Sequence, residues 1–499
     1  MKVRFFRRRE PIVGRRFVSG VSGVSAALVL LAAPLDAAGP SEADLARAAA
    51  RITAASAFQT VETLSAPGMQ GRMSGTDGYR RAADWVVSEV RRAGLGVAEP
   101  FGEYRQPFTH GLGGVESASL TVLPIEGEKD ARPPEAVLLE DFSPMVNGGS
   151  GDVTAEVVFV GFGFHAPGLG RDDYAGVDVK GKVVLALRGE PETGEWKDHR
   201  ASASRTFAAE RAGAAAFLLV DGAVTSTNNS LSRAIPEAMV SEGFADRLLA
   251  GQKITVAELR KVLARGGTAS FGTGRNVRFT VKGVPWREVT THNVVAVLPG
   301  EDPALRGEYV VLGAHLDHIG DWPRLNPGAD DNASGSATLL EVARAAASLK
   351  VRPRRALVFV WFAGEELGLL GAKHFASHPP AGLSKCVAVL NLDMLGVGTG
   401  LYVAGGENFP AIRSALEKAR DRFAPGFLLK SGRIRGEGRA DHAPFFELGI
   451  PAVSLFSSGA EHHGYHSPDD TIFHIAPKAM EAGGRTVFGA AWALADEKP

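Results

Sequence analysis

"ALVFVWFAGEELGLLG" (residues 356–371) opens with eight apolar residues and then sets two glutamates side by side, Glu365 and Glu366. A continuous run of branched and aromatic side chains, closed by a glycine, predicts a short strand buried on both faces. Strands of that kind sit in parallel sheets covered by helices, where ligands bind outside the strands' carboxyl ends. The two carboxylates stand at that end.

The arrangement repeats on either side. From residue 291 onward, apolar strands predicted at 293–298, 309–316, 356–363, 386–392 and 451–456 alternate with helical stretches, notably 336–349 and 409–423. Such alternation argues for an α/β sheet covered on both faces. His315 and Asp317 follow one strand, Asp393 follows another, and the loop 457–471 carries His462, His463 and His466 after a third. "GADDNASG" (328–335) lies between the first two clusters, and ten of the thirteen histidines fall between 292 and 474. Each piece alone has an ordinary explanation. The aspartate pair could cap a helix, the glutamate pair could complement a helix dipole, and a histidine after a strand is commonly a rim residue. Their coincidence at every strand end is not ordinary. About five carboxylates and two imidazoles in one place would repel one another unless cations neutralised them. Mixed His/Asp/Glu donors suit zinc or another first-row metal better than calcium or magnesium.

Upstream, residues 40–63 have Ala-rich helical spacing, "LSAPGMQGRMSGTDG" (64–78) is a Gly-rich loop, and 79–93 is an amphipathic helix stopped at Gly94. Between 117 and 280 the chain turns to short β-rich runs with few catalytic groups, which reads as a small module inserted into a larger domain. The expected division is a signal peptide at 1–38, the first part of the main domain at 39–116, the insertion at 117–280, and the rest of the main domain at 281–499.

The signal-peptide reading rests on Arg7, Arg8, Arg9, Arg15 and Arg16 ahead of "AALVLLAAP" (26–34) and the small residues "DAAG" (36–39). The paired Arg15-Arg16 hints at a twin-arginine route. Residues 1–38 hold seven Lys/Arg and two Asp/Glu, which leaves 48 basic and 54 acidic residues and a formal charge of −6. That balance disfavours a nucleic-acid partner, and no later stretch is long and apolar enough for stable membrane insertion. Cys386 is the single cysteine, so the fold relies on its core rather than on disulfides. Oligomeric state is not legible.

"GAHLDH", "GADDNASG", "GEELGLLG", "NLDM" and "GYHSPDDT", in this order, resemble the M28 family of metallopeptidases, in particular the di-zinc aminopeptidases of exported bacterial type. The likeness extends over most of 55–475, and 157–189 resembles a protease-associated (PA) domain. The resemblance implies an α/β/α sandwich around a mixed, mostly parallel sheet, with the PA module inserted. It implies two Zn²⁺ ions held by His315, Asp331, Glu366, Asp393 and His466, with Asp331 bridging. Glu365 would be the general base, Asp317 would orient the His315 ring, and Tyr465 would donate to the oxyanion. The implied activity is release of N-terminal residues from peptides with free amines. A carboxypeptidase or dipeptidase using the same metals is the alternative, for which Arg433, Arg435 and Arg439 are candidate carboxylate binders. A catalytically dead relative predicts lost ligands, and a one-zinc cyclotransferase predicts a degraded second site. Neither pattern is present.

Overall fold

The computed structural model describes residues 39–498, except 126–134, 146–147, 197–198, 200–201, 223, 225–234 and 435–437. The expected signal peptide therefore lies outside the described residues, as does Arg435. Among the described residues, no helix is long and apolar enough to cross a membrane.

The strands that position the site are, in chain order, β1 (Arg105–Val122), β2 (Gly151–Val160), β3 (Val183–Leu187), β4 (Ala216–Asp221), β5 (Ser270–Leu298), β6 (Glu308–His315), β7 (Ala356–Phe362), β8 (Lys385–Leu392), β9 (Gly400–Ala404), β10 (Leu428–Gly432) and β11 (Ala452–Ser458). In the main domain they lie side by side in the order β10-β9-β11-β8-β6-β7-β5. The four central strands, β11, β8, β6 and β7, are parallel. Antiparallel neighbours flank them, β9 beside β11 and the end of β5 beside β7. The sheet is mixed and mostly parallel, as expected.

Period-two alternation explains why the central strands read as unbroken apolar runs. Val310, Leu312, Leu357, Phe359 and Trp361 face one layer of helices. That layer comprises α1 (Glu42–Ala50), α2 (Ala54–Leu64), α3 (Asp77–Arg92), α4 (Gly335–Ala347), α5 (Pro410–Phe423) and α6 (Pro477–Asp496). Val311, Val358, Val360 and Phe362 face the other way, onto Phe375 and Phe445 from the short helices Leu370–Ser377 and Ala443–Glu447. Both strand faces are dry, so every position favours an apolar side chain, each such burial stabilising by ~1.5–3 kcal/mol. The result is an α/β/α sandwich.

The β-rich insertion has its own core, with Phe159, Leu185, Leu218 and Phe279 at its centre. It does not begin and end at breaks in the sheet. β1 enters it and β5 leaves it, and both cross the boundaries expected at 117 and 280. β5 is 29 residues long: its first part pairs with β2, its middle with β1, and Val294–Leu298 with β7. The 293–298 strand predicted from sequence is therefore only the end of a ribbon common to both cores. The ribbon bulges around Gly283–Arg287, where Pro285 cannot donate to the ladder.

Candidate metal centre

The parallel strands place their carboxyl ends at one edge of the sheet. β6 ends on His315, whose Nδ1–H donates to the main-chain carbonyl of Asp317 at 3.1 Å. That bond sets the tautomer and turns Nε2 inward as an acceptor. Nε2 lies 3.3 Å from Asp331 Oδ1 and 3.4 Å from Asp393 Oδ1. On the far side of Asp331, His466 Nε2 lies 3.2 Å from Asp331 Oδ2 and 3.0 Å from Glu366 Oε2. Asp331 thus offers one oxygen to each of two donor groups.

Backbone geometry holds these carboxylates in place. The Asp317 carboxylate accepts the N–H groups of Glu365 and Glu366, at 3.2 and 3.4 Å. The Asp470 carboxylate accepts those of Asp330 and Asp331, at 2.8 and 3.0 Å. Asn332 Oδ1 accepts from Gly335 and Met394, and its amide donates to the Leu392 carbonyl, which ties the Asp331 turn to the Asp393 turn.

The electrostatics bear on what the donor set can hold. Burial opposes charge on His315, yet Glu365, Asp331 and Asp393 hold its pKa well above the usual range. Burial also opposes charge on His466, but Glu366 and Asp331 push it up to about 11. Glu366 is drawn down to about 2, against burial, chiefly by His466. The carboxylates pull protons onto imidazoles that would otherwise be neutral donors. Two divalent cations would meet the same demand and leave both rings free to ligate, so the donor set fits a metal pair.

A cavity of 330 Å³ opens on this cluster. His315, Asp331, Glu365, Glu366 and Asp393 line it, together with Met394, Ile434, Arg439, His442, Phe456 and Tyr465.

Residues 293–491 match the model of peptidase family M28, and residues 153–248 match the PA domain. The match to family M28 takes in every expected ligand, from His315 to His466. The chain is 28% identical over 463 residues to an aminopeptidase of Pseudomonas aeruginosa, covering 85% of this chain and 77% of that protein. It is 31% identical over 270 residues to leupeptin-inactivating enzyme 1 of Streptomyces exfoliatus. That match takes in 50% of this chain and only 57% of the relative's length. Its fold is that of BSAP, a zinc aminopeptidase from Bacillus subtilis, at a TM-score of 0.63 and 20% identity, over 90% of this chain and 96% of that one.

The structure brings together all five expected ligands, and Glu365 with them. Asp317 meets the His315 ring through its main-chain oxygen, while its carboxylate goes to the glutamate pair. Tyr465 is half-exposed and stacks on the His466 ring, with centroids 3.9 Å apart and planes at 15°. Of the candidate carboxylate binders, Arg439 lines the cavity, whereas Arg433 is exposed and 3.9 Å from Glu407. His463 packs on His474 instead of the cluster. Burial pushes the Cys386 thiol up to about 12, as befits a packing residue and not a nucleophile.

His318 is not in the expected ligand set, and it supports one of its members. It is fully buried, its Nδ1–H donates to Glu366 Oε1 at 3.0 Å, and it stands 3.8 Å from Asp331 Oδ2. His462, likewise outside the expected ligand set, meets Asp330 Oδ2 with its Nδ1 at 2.5 Å. A count of histidines near the motifs was the available signal, but no spacing rule separates these two from His463.

Proposed function

We propose that the protein is an exported aminopeptidase that hydrolyses the first peptide bond of peptides with free N-termini, using a pair of zinc ions. The carrying observation is the Asp331 carboxylate, which turns one oxygen to His315, itself beside Asp393, and the other to His466, itself beside Glu366. His315, Asp393 and Asp331 would hold one ion, and Glu366, His466 and Asp331 the other. The names of the relatives and the zinc of the Bacillus fold neighbour support this reading. When bound, two such ions lower the pKa of a water and polarise the scissile carbonyl. Glu365 lines the cavity beside the donor groups without being needed in either. Its carboxylate would take the proton of the attacking water and return it to the leaving amine. The Tyr465 hydroxyl would donate to the oxygen of the scissile carbonyl as charge develops there. The basic and apolar segments of residues 1–38 support export.

Arg439 on the cavity wall favours a second reading, in which the enzyme holds a substrate's terminal carboxylate as a carboxypeptidase or dipeptidase. A pair of substrate sets separates the two. Aminoacyl anilides with free amines should be cleaved and their N-acetylated forms spared; cleavage of N-blocked substrates bearing a free carboxylate would overturn the aminopeptidase assignment.

A further inference from the structure

The Gly-rich segment 64–78 takes no part in the chemistry above, yet it contains one of the most deeply buried charges in the molecule. Arg72 is 0% exposed. Its Nε–H donates to the Leu316 carbonyl at 2.9 Å, and Nη2 donates to Gly328 at 2.8 Å. Nη1 donates to Leu64 and Pro327, both at 2.7 Å. Three of these four carbonyls belong to the loop that joins His315 to Asp331. Leu316 immediately follows one candidate ligand, and Pro327 and Gly328 precede the other. The guanidinium therefore grips the loop at both ends.

The main chain of the same segment grips its middle. The His318 N–H donates to the Arg72 carbonyl at 3.3 Å, and the Gly320 N–H donates to the Gly71 carbonyl at 3.0 Å. Gly71 has φ +62°, and a Cβ there would lie 2.1 Å from the Gly320 oxygen, so only glycine allows this approach.

Among the described residues, Arg72 bonds only to carbonyl oxygens. Burial lowers its pKa to about 10, which still leaves it charged at neutral pH, and Asp470, Asp331, Asp317 and Glu366 oppose the drop. Its charge is thus balanced by carboxylates of the metal centre that it does not touch. A planar fork reaching carbonyls on several sides is a geometry that lysine cannot reproduce. We propose that Arg72 is a positioning residue for the metal centre: its fork holds loop 316–328 by both ends, so that His315 and Asp331 stand at ligand spacing before a cation arrives.

The proposal rests on the two-metal reading for what the loop is positioned to do, but not for the order of the loop itself. The test uses the full chain stripped with a chelator, with zinc affinity read by competition against a chromophoric chelator. Arg72→Met should bind zinc roughly tenfold to hundredfold more weakly than the parent, as loss of residues supporting metal ligands does. Arg72→Lys, which keeps the charge and loses the fork, should recover only part of that loss. Parent-level affinity in a folded Arg72→Met protein would overturn the proposal, as would full recovery by lysine. Hydrogen exchange on the metal-free parent gives an answer even if Arg72→Met does not fold. The amides of Leu316, His318, Gly320 and Asn326 should be protected without zinc, and protection that appeared only on adding zinc would refute the brace. A parent that bound no zinc would defeat the two-metal reading instead, leaving exchange to decide about Arg72.

Discussion

Glu365 and Glu366 are adjacent and chemically identical, and their surroundings separate them. Glu366 receives the His318 Nδ1–H on one oxygen and meets His466 with the other, so both oxygens are committed. Burial and the neighbouring carboxylates hold Glu365 well above the usual carboxylate range, with His315 opposing. Its oxygens nonetheless come within 4.8 Å of His315 and Glu366 donor atoms, which leaves ligation by Glu365 as the competing assignment. Glu365→Gln discriminates. The substitution preserves shape and leaves the backbone bond to Asp317 intact, while removing a base. Turnover should fall by roughly 10²–10⁴-fold, with two zinc ions per chain retained by elemental analysis. Loss of an ion would show that Glu365 is a ligand.

Helix α4 begins where two of the ligand turns meet, and Gly335 at its first position makes that contact possible. Its backbone is ordinary αR, with φ −65° and ψ −45°. Helix propensity alone would therefore favour alanine by ~1 kcal/mol. A Cβ would, however, lie 2.2 Å from Asn332 Oδ1 and 2.5 Å from the Leu392 carbonyl. Asn332 could yield only by giving up its bonds to Gly335 and Met394. The clash outweighs the propensity, and Gly335→Ala should destabilise the protein by ~1–3 kcal/mol in urea denaturation. A gain in stability would mean that the turn is loose. This contact also marks the limit of what sequence shows. The apolar runs 309–316, 356–363 and 386–392 are legible because strands dry on both faces admit little else, and the chemistry at their ends is legible because strand ends are exposed to one another. The ribbon β5 is not legible. Its middle faces solvent, Gly283 and Pro285 interrupt its pattern, and its partners β1 and β2 lie more than 100 residues away in the chain. His318 is hidden for a related reason: in the loop that folds it back onto Glu366, its N–H is taken by the carbonyl of the distant Arg72.

The two hydrophobic cores are joined by more than a linker. β5 supplies Val277, Phe279 and Val281 to the core of the insertion and Val294, Ala296 and Leu298 to that of the sandwich. Trp322, in the loop between His315 and Asp331, packs against the insertion's core and donates its indole N–H to the Glu116 carbonyl at 3.3 Å. Because one strand is built into both cores, melting of either removes packing from the other, and the cores should unfold together. Metal binding then becomes a lever on the whole chain. An ion at about 100 times its Kd stabilises the native state by ~2.7 kcal/mol, and removing it takes that away. Chelator should therefore abolish activity, zinc should restore it, and the metal-free protein should unfold at lower urea. Hydrogen exchange across the transition tests the coupling directly. Amides of β3 and β4, which have no place in the metal centre, should lose protection at the same urea concentration as those of β7. Both sets should shift down together on chelation. A shift confined to β7 would show that β5 passes no stability between the cores, and that the insertion folds as an independent unit.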